Sequence, residues 1–194
     1  MQCSGCASTC LIDMPTSHVK IRYAAPTDNV LLAELGKQTF YETFATTNTP
    51  GDMAAYLATS FSPDKQAAEL ADPVSTFLIA ENDDATIGYA QLKTGKPAAG
   101  VIGMTPIELV RLYARQDWLG QGVGAQLMQA CLDEAAKQGC DTIWLDVWEQ
   151  NVRARAFYRK WDFVEVGTQL FQLGRDLQHD LILQRSISRS ATSR

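Results

Sequence analysis

Gly120, Gly122 and Gly124 stand at alternate positions between the apolar run 107–114 (IELVRLYA) and a helix-like run that follows at once. Glycine at a helix start costs backbone entropy that alanine would not. Three of them imply that something must approach the backbone closely. The chemistry offered there is anion binding, because successive N–H groups at a helix N-terminus, reinforced by the helix dipole, attract phosphates. A P-loop is excluded, since no Lys-Ser/Thr pair follows the glycines. A dinucleotide fingerprint fits in letters: Gly120, Gly122 and Ala125 spell G-x-G-x-x-A, and Asp141 lies about 20 residues on. Its glycines should begin at the strand end, however, and here RQDWL intervenes. A pyrophosphate cradle of another kind and a plain strand-to-helix turn are the remaining readings.

A second group of candidates lies further on, in NVRARAFYRKW (151–161). Asn151 reads as a helix N-cap. Ala154, Phe157, Tyr158 and Trp161 follow at i, i+3, i+4 and i+7, the spacing of a core stripe, so Tyr158 is a packing residue on pattern alone. The cysteines offer less. Cys3, Cys6 and Cys10 form a C-x2-C-x3-C cluster with His18 as a distant fourth ligand, whereas structural zinc sites pair two short clusters across a folded loop. We read residues 1–13 as a solvated extension without a metal, ahead of Met14 as an alternative translation start. Cys131 and Cys140 read as small buried apolar residues. His18 and His179 have no spacing that suggests a metal site or a triad.

These residues need a scaffold, and 194 residues suit one domain with a substantial core. A composition 46% hydrophobic and 20% charged is that of an ordinary globular protein. No apolar run approaches the roughly 20 residues of a membrane span, and no secretory signal is visible, so a cytoplasmic protein without a membrane partner is expected. An odd count of five cysteines agrees with reduced thiols. The net charge of −5 and the lack of a basic stripe argue against nucleic acid.

Along the chain, 18–24 alternates as a strand, and Thr27 or Asp28 is placed to cap a helix reaching about Ala45. A short helix over 52–60 and another capped by Ser62 with Pro63 at its first position follow. The runs 74–81 and 86–93 flank NDDA as a hairpin. Then come a Gly/Pro loop over 95–106, the strand 107–114, a helix over 122–138 stopped by Gly139, a strand over 141–148, the helix opened by Asn151, and closing strands at 162–171 and 178–187. The last residues, 188–194, are Ser/Arg-rich and expected to be disordered. One mixed α/β domain over 14–187 is the result.

Two stretches carry a resemblance. LVRLYARQDWLGQGVGAQLM resembles the acyl-CoA signature of the GNAT superfamily of N-acetyltransferases, and WLDVWEQNVRARAFYRKWDF resembles its second signature, N-x-x-A-x-x-F-Y-x-x-x-x-F. Within that family the chain looks most like the bacterial spermidine/spermine branch, on TFYETFATTNTPGDMAAYLATSF, IWLDVWEQNVRARAFY and FQLGRDLQHDLILQRSI. The resemblance implies the α/β GNAT fold: a mixed, mostly antiparallel seven-stranded sheet splayed between strands 4 and 5 and flanked by helices. It implies acetyl-CoA as cosubstrate and no metal. Two positions depart from the family pattern. Leu119 stands where Arg or Gln is usual, and Asp162 stands where glycine is usual.

Carried over residue by residue, the resemblance implies that Glu108 is the catalytic base and Tyr158 the acid that protonates the departing thiolate. Leu112, Tyr113 and Ala114 would pair through their backbone with the pantetheine arm, like an added strand. Leu119, Gly120, Gln121, Gly122, Val123, Gly124 and Ala125 would form the pyrophosphate loop, and Asn151 would contact the pantetheine. Phe40, Tyr41 and Phe44 would line the acceptor pocket, with Trp148 and Glu149 adding a cation–π face and a counter-charge. The expected acceptor is a small primary amine such as a polyamine. The alternatives are a protein or peptide N-terminus, an amino-acid-like amine, or a CoA-binding regulatory module with little turnover. A homodimer is compatible with all of these.

Overall fold

The computed structural model describes residues 18–83 and 85–187. The expectations for residues 1–13 and 188–194 lie outside the described residues. The elements run β1 (Val19–Tyr23), α1 (Asn29–Phe44), α2 (Pro50–Ser60), α3 (Pro63–Ala71), β2 (Ser75–Asn82), β3 (Ala85–Thr94), β4 (Pro106–Ala114), α4 (Val123–Lys137), β5 (Thr142–Trp148), α5 (Val152–Lys160), β6 (Val164–Leu173) and β7 (Asp176–Ser186). Seven strands form one sheet in the order β1-β2-β3-β4-β5-β7-β6. Strands β4 and β5 are parallel and the other neighbours are antiparallel. This is the mixed sheet that was expected, and its antiparallel character removes the dinucleotide reading, which needs a doubly wound parallel sheet.

Helices cover both faces. Residues opposite each other on paired strands share a face. On one face Phe77, Ile79 and Tyr89 pack with Leu32 and Leu35 of α1. Phe40, Met53, Phe61 and Leu173 extend this layer under α2. On the other face Leu78, Ala90, Leu92 and Leu109 pack with Val123, Leu127, Met128 and Cys131 of α4. Cys131 and Cys140 are free and buried, and burial pushes the Cys131 thiol up, so both act as apolar filling.

Several local expectations are corrected. Asp28 stands at the N-cap position of α1, one of the two expected, but its side chain makes no capping bond to the helix. The chain enters that helix through a 3-10 turn at Pro26–Asp28, and Asp28 instead accepts from Ala25 N (2.7 Å) and ion-pairs with Arg22 (2.7 Å). Helix α2 begins at Pro50, with Thr49 as its cap accepting from Asp52 N. The closing hairpin is tighter than expected. It turns at Gly174 (φ 60), where the Asp52 carboxylate accepts from Arg175 N at 2.9 Å and so ties the turn to α2. Asp162, standing in for glycine, adopts φ 60. Aspartate tolerates this left-handed region better than most residues, so the turn survives the replacement.

Candidate active site

Strands β4 and β5 pair only through Pro106–Thr142, Ile107–Ile143 and Glu108–Trp144. Beyond Glu108 they part. Residues Leu109–Ala114 stay paired with β3, and Leu145–Trp148 stay paired with β7, so each strand has one edge with no strand beside it. The register on β3 slips here as well. Gln91 faces Arg111 and Leu92 faces Leu109, which leaves Val110 as the extra residue of a β-bulge. A cavity of about 830 Å³ fills the gap. Buried backbone polar groups normally find partners, so an open sheet edge facing a cavity is a place where a ligand can supply them.

Helix α4 aims its N-terminus at this cavity. Its first intrahelical bond runs from Gln126 N to Gly122 O, so the N–H groups of Gly122, Val123, Gly124 and Ala125 precede the ladder, and no side chain caps them. Gly120 (φ 79) and Gly122 (φ 86) are left-handed, which by itself favours glycine, and a Cβ on either would meet nothing within 4 Å. Gly124 differs. Its backbone is ordinary helix, and a Cβ there would touch Phe157 and Leu112 at 3.7–4.0 Å. No conformational need explains Gly124, so it is the glycine whose lack of a side chain keeps the cleft between α4, α5 and β4 wide.

Most of the expected residues converge on the cavity. Glu108, Leu112, Tyr113, Ala114, Leu119, Gly120, Gly122, Gly124, Ala125, Asn151 and Tyr158 line it, and so do Phe40, Phe44 and Trp148. Four others do not. Tyr41 points to solvent, 56% exposed, because it lies one position round α1 from the buried Phe40. Gln121 turns back, its amide donating to Asp117 O at 2.8 Å. The Val123 side chain is buried in the core, leaving its backbone N–H as what it can contribute. Glu149 is exposed past the end of β5, its N–H donating to His179 O at 3.0 Å. Asp141 is also engaged, accepting from Met104 N at 2.7 Å and Thr105 N, which pins the 95–105 loop.

The titratable groups differ by environment. Burial pushes the Glu108 carboxyl up to about 7, nearby Asp146 adds to this, and Lys93 opposes it. Burial also raises the Tyr158 phenol. It therefore stays protonated near neutrality, with its ring held between Phe157 (5.5 Å) and Phe163 (5.6 Å). Asn151 Oδ1 accepts from Ala154 N at 3.1 Å, confirming the N-cap, while Asn151 itself faces the cavity.

Sequence reasoning missed several lining residues. Asp146 interrupts the otherwise mostly apolar β5, and that interruption was the available signal; Asp180 lies among the polar residues of β7, where nothing in the sequence singles it out. Arg111 also lines the cavity, but Glu69 neutralises it at 2.6 Å and its guanidinium sits 5.0 Å over the Phe61 ring. Arg153 and Lys160 reach the cavity from α5. The lining is thus divided: carboxylates come from the strands, and α5 brings cations that make no ion pair among the described residues. Among the described residues no group of three or more His, Cys, Asp or Glu is arranged to hold a metal ion. No helix among them is long and apolar enough to cross a membrane.

Comparison with known proteins agrees with this geometry. Residues 38–163 match the model of the acetyltransferase (GNAT) family. The chain is 29% identical over 169 residues to an uncharacterized N-acetyltransferase of Lactobacillus delbrueckii subsp. lactis, covering 87% of this chain and 98% of that one. A shorter stretch of 82 residues is 30% identical to the ribosomal protein bS18-alanine N-acetyltransferase of Escherichia coli, covering 41% of this chain and 55% of the relative. Among solved structures, the PaiA N-acetyltransferase of Thermoplasma acidophilum in complex with coenzyme A superposes with a TM-score of 0.68 at 22% identity, over 87% of this chain and 99% of that one.

Proposed function

The chain belongs to the acetyltransferase (GNAT) family, and on that premise we propose that it transfers the acetyl group of acetyl-CoA to a primary amine, a polyamine or another small amine, by direct attack within a ternary complex. The observation that carries this reading is the position of Glu108. It is a half-buried carboxyl with a pKa near 7, at the last paired rung before the sheet opens.

The residues present fit the cosubstrate. The uncapped N–H groups of Gly122, Val123, Gly124 and Ala125 suit a pyrophosphate, and Arg153 and Lys160 also bring positive charge to the cavity. The free edge of Leu112–Ala114 suits an extended amide-bearing arm, and Asn151 faces it from the start of α5. Leu119, in place of the usual Arg or Gln, contributes only apolar contact from its place at the cavity, 37% exposed. Acetyl-CoA supplies an activated acyl group.

The chain's own residues handle the protons. An alkylamine with a pKa near ~10.4 is about one part in a thousand neutral at pH 7. Glu108 in its carboxylate form accepts a proton from the ammonium, directly or through water. With a pKa close to 7 it is ionised often enough to act and basic enough to be useful. Tyr158, kept neutral by burial, donates its Oη proton to the leaving sulfur. A thiol pKa of about 8.5 makes that help an acceleration, not a requirement.

The bS18-alanine relative keeps an N-terminal acceptor as the second reading. Carboxylates lining the cavity favour a small cation over a peptide. The test follows thioester absorbance of acetyl-CoA against spermidine, spermine, lysine and peptides with free N-termini. Saturable turnover with the polyamines is expected. Turnover confined to peptides would replace the acceptor, and acetyl-CoA binding without turnover on any amine would make the chain a CoA-binding module.

A further inference from the structure

The catalytic reading gives Asp180 no work, and gives Asp146 only its share in raising the Glu108 carboxyl. Both line the cavity, and both lie on the same face of the sheet as Glu108. The register shows this. Glu108 pairs with Trp144, Asp146 lies two residues along the same strand, Asp146 faces Ile182, and Trp148 faces Asp180. Gln169 of β6 donates its amide to Asp146 Oδ2 at 2.8 Å, which fixes that carboxylate in place. Asp180 is only 6% exposed, and its Oδ1 has no hydrogen-bond donor among the described residues.

A buried carboxylate oxygen without a donor is costly unless something supplies one. The Asp180 carboxyl is indeed pushed up to about 7 by its burial and by Asp146 beside it, with Glu149 adding to the same effect. A second carboxyl alongside disfavours the ionised form and favours a proton or a cation held there. The surroundings suit an organic cation. Trp148 stands opposite Asp180, its ring meets Phe44 edge-on with centroids 6.2 Å apart, and both rings line the cavity that holds the pair. An alkyl chain packs on such rings and an ammonium is attracted to them.

We propose that Asp146 and Asp180 form a subsite for the second, non-reacting ammonium of a diamine or polyamine acceptor, with Trp148 and Phe44 beside the methylene chain. This rests on the amine-acceptor reading of the cavity and makes it specific: acceptors with two cationic ends are selected over monoamines. Glu108 serves the end that reacts, and the aspartate pair holds the end that does not. The incoming ammonium donates N–H groups to Asp180 Oδ1 and to Asp146, and takes the place of the proton that the pair otherwise retains.

The test is equilibrium binding, so that it does not depend on turnover. Butane-1,4-diamine and butylamine are titrated calorimetrically into the protein saturated with CoA. The diamine should bind at least tenfold more tightly. Asp180→Asn and Asp146→Asn should each bring that preference to within about threefold, with CoA affinity retained as evidence of folding. Either variant suffices should the other fail to fold. Equal binding of the two amines by the wild type, or an undiminished preference in the folded variants, overturns the subsite. A diamine preference without acetyl transfer to any amine would leave the subsite standing and remove the acetyltransferase reading. Transfer without a preference would do the reverse.

Discussion

Glu108 faces Trp144 on the last rung that β4 and β5 share, so the carboxyl lies where the sheet stops being continuous. Burial that raises its pKa and access to the cavity both follow from that position. A strand-end glutamate in solvent would have neither.

Replacing Glu108 by Gln should lower kcat/KM about 100-fold near neutral pH, the usual scale for losing a general base. The wild-type rate should fall as pH drops through about 7, because the carboxylate is the working form. The variant should lack that inflection and retain only the rise caused by deprotonation of the free amine. A pH–rate series on both proteins checks this, and an inflection near 7 that persists in the variant removes Glu108 from the role.

Tyr158→Phe should reduce kcat by about tenfold to a hundredfold, the lower end of acid catalysis, since the leaving thiolate tolerates unassisted departure. The Kd for acetyl-CoA should stay within about threefold, as the ring still fills the space between Phe157 and Phe163. A loss of affinity comparable to the loss of rate would make Tyr158 a packing residue.

The glycines separate into two kinds of cost. Gly122→Ala should lower stability by about 1–2 kcal/mol, because φ 86 is strained for any residue with a Cβ. Gly124→Val should leave φ/ψ unstrained and weaken acetyl-CoA binding at least tenfold, by narrowing the cleft beside Leu112 and Phe157. Thermal unfolding and cosubstrate titration on both variants distinguish these effects.

Stability should depend on pH through the same buried carboxyls. Glu108 and Asp180 have folded pKa values near 7, above their ordinary 4.5 and 3.8. The folded state therefore holds more protons between those values, and the stability they contribute is present at low pH and lost as pH rises through about 7. Asp180→Asn carries no such penalty. Its stability relative to wild type should rise between pH 5 and pH 8 in urea titrations, and a pH-independent difference would contradict the raised pKa of Asp180.

Some of this protein was legible in its sequence because the causes are local. The alternating glycines, the Ser62-Pro63 helix start, the Asn151 cap and the stop at Gly139 are set by backbone conformation within a few residues, and each stands where it was expected. The two GNAT signatures are continuous stretches, so the family could be read directly.

What the tertiary structure alone decided depends on which strands meet. Tyr41 and Phe40 are adjacent in sequence and were both expected at the acceptor pocket, but the fold turns Phe40 inward, 4.7 Å from Tyr56, and Tyr41 to solvent. Asp141 fits a dinucleotide spacing in letters, yet the fold uses it to pin a loop 36 residues away at Thr105. Asp146 and Asp180 are 34 positions apart in the chain, the first a lone acid in a mostly apolar strand and the second one of several polar residues in β7. Antiparallel pairing of β5 with β7 puts them side by side on the face that carries Glu108, and register is a property of the sheet, not of either strand.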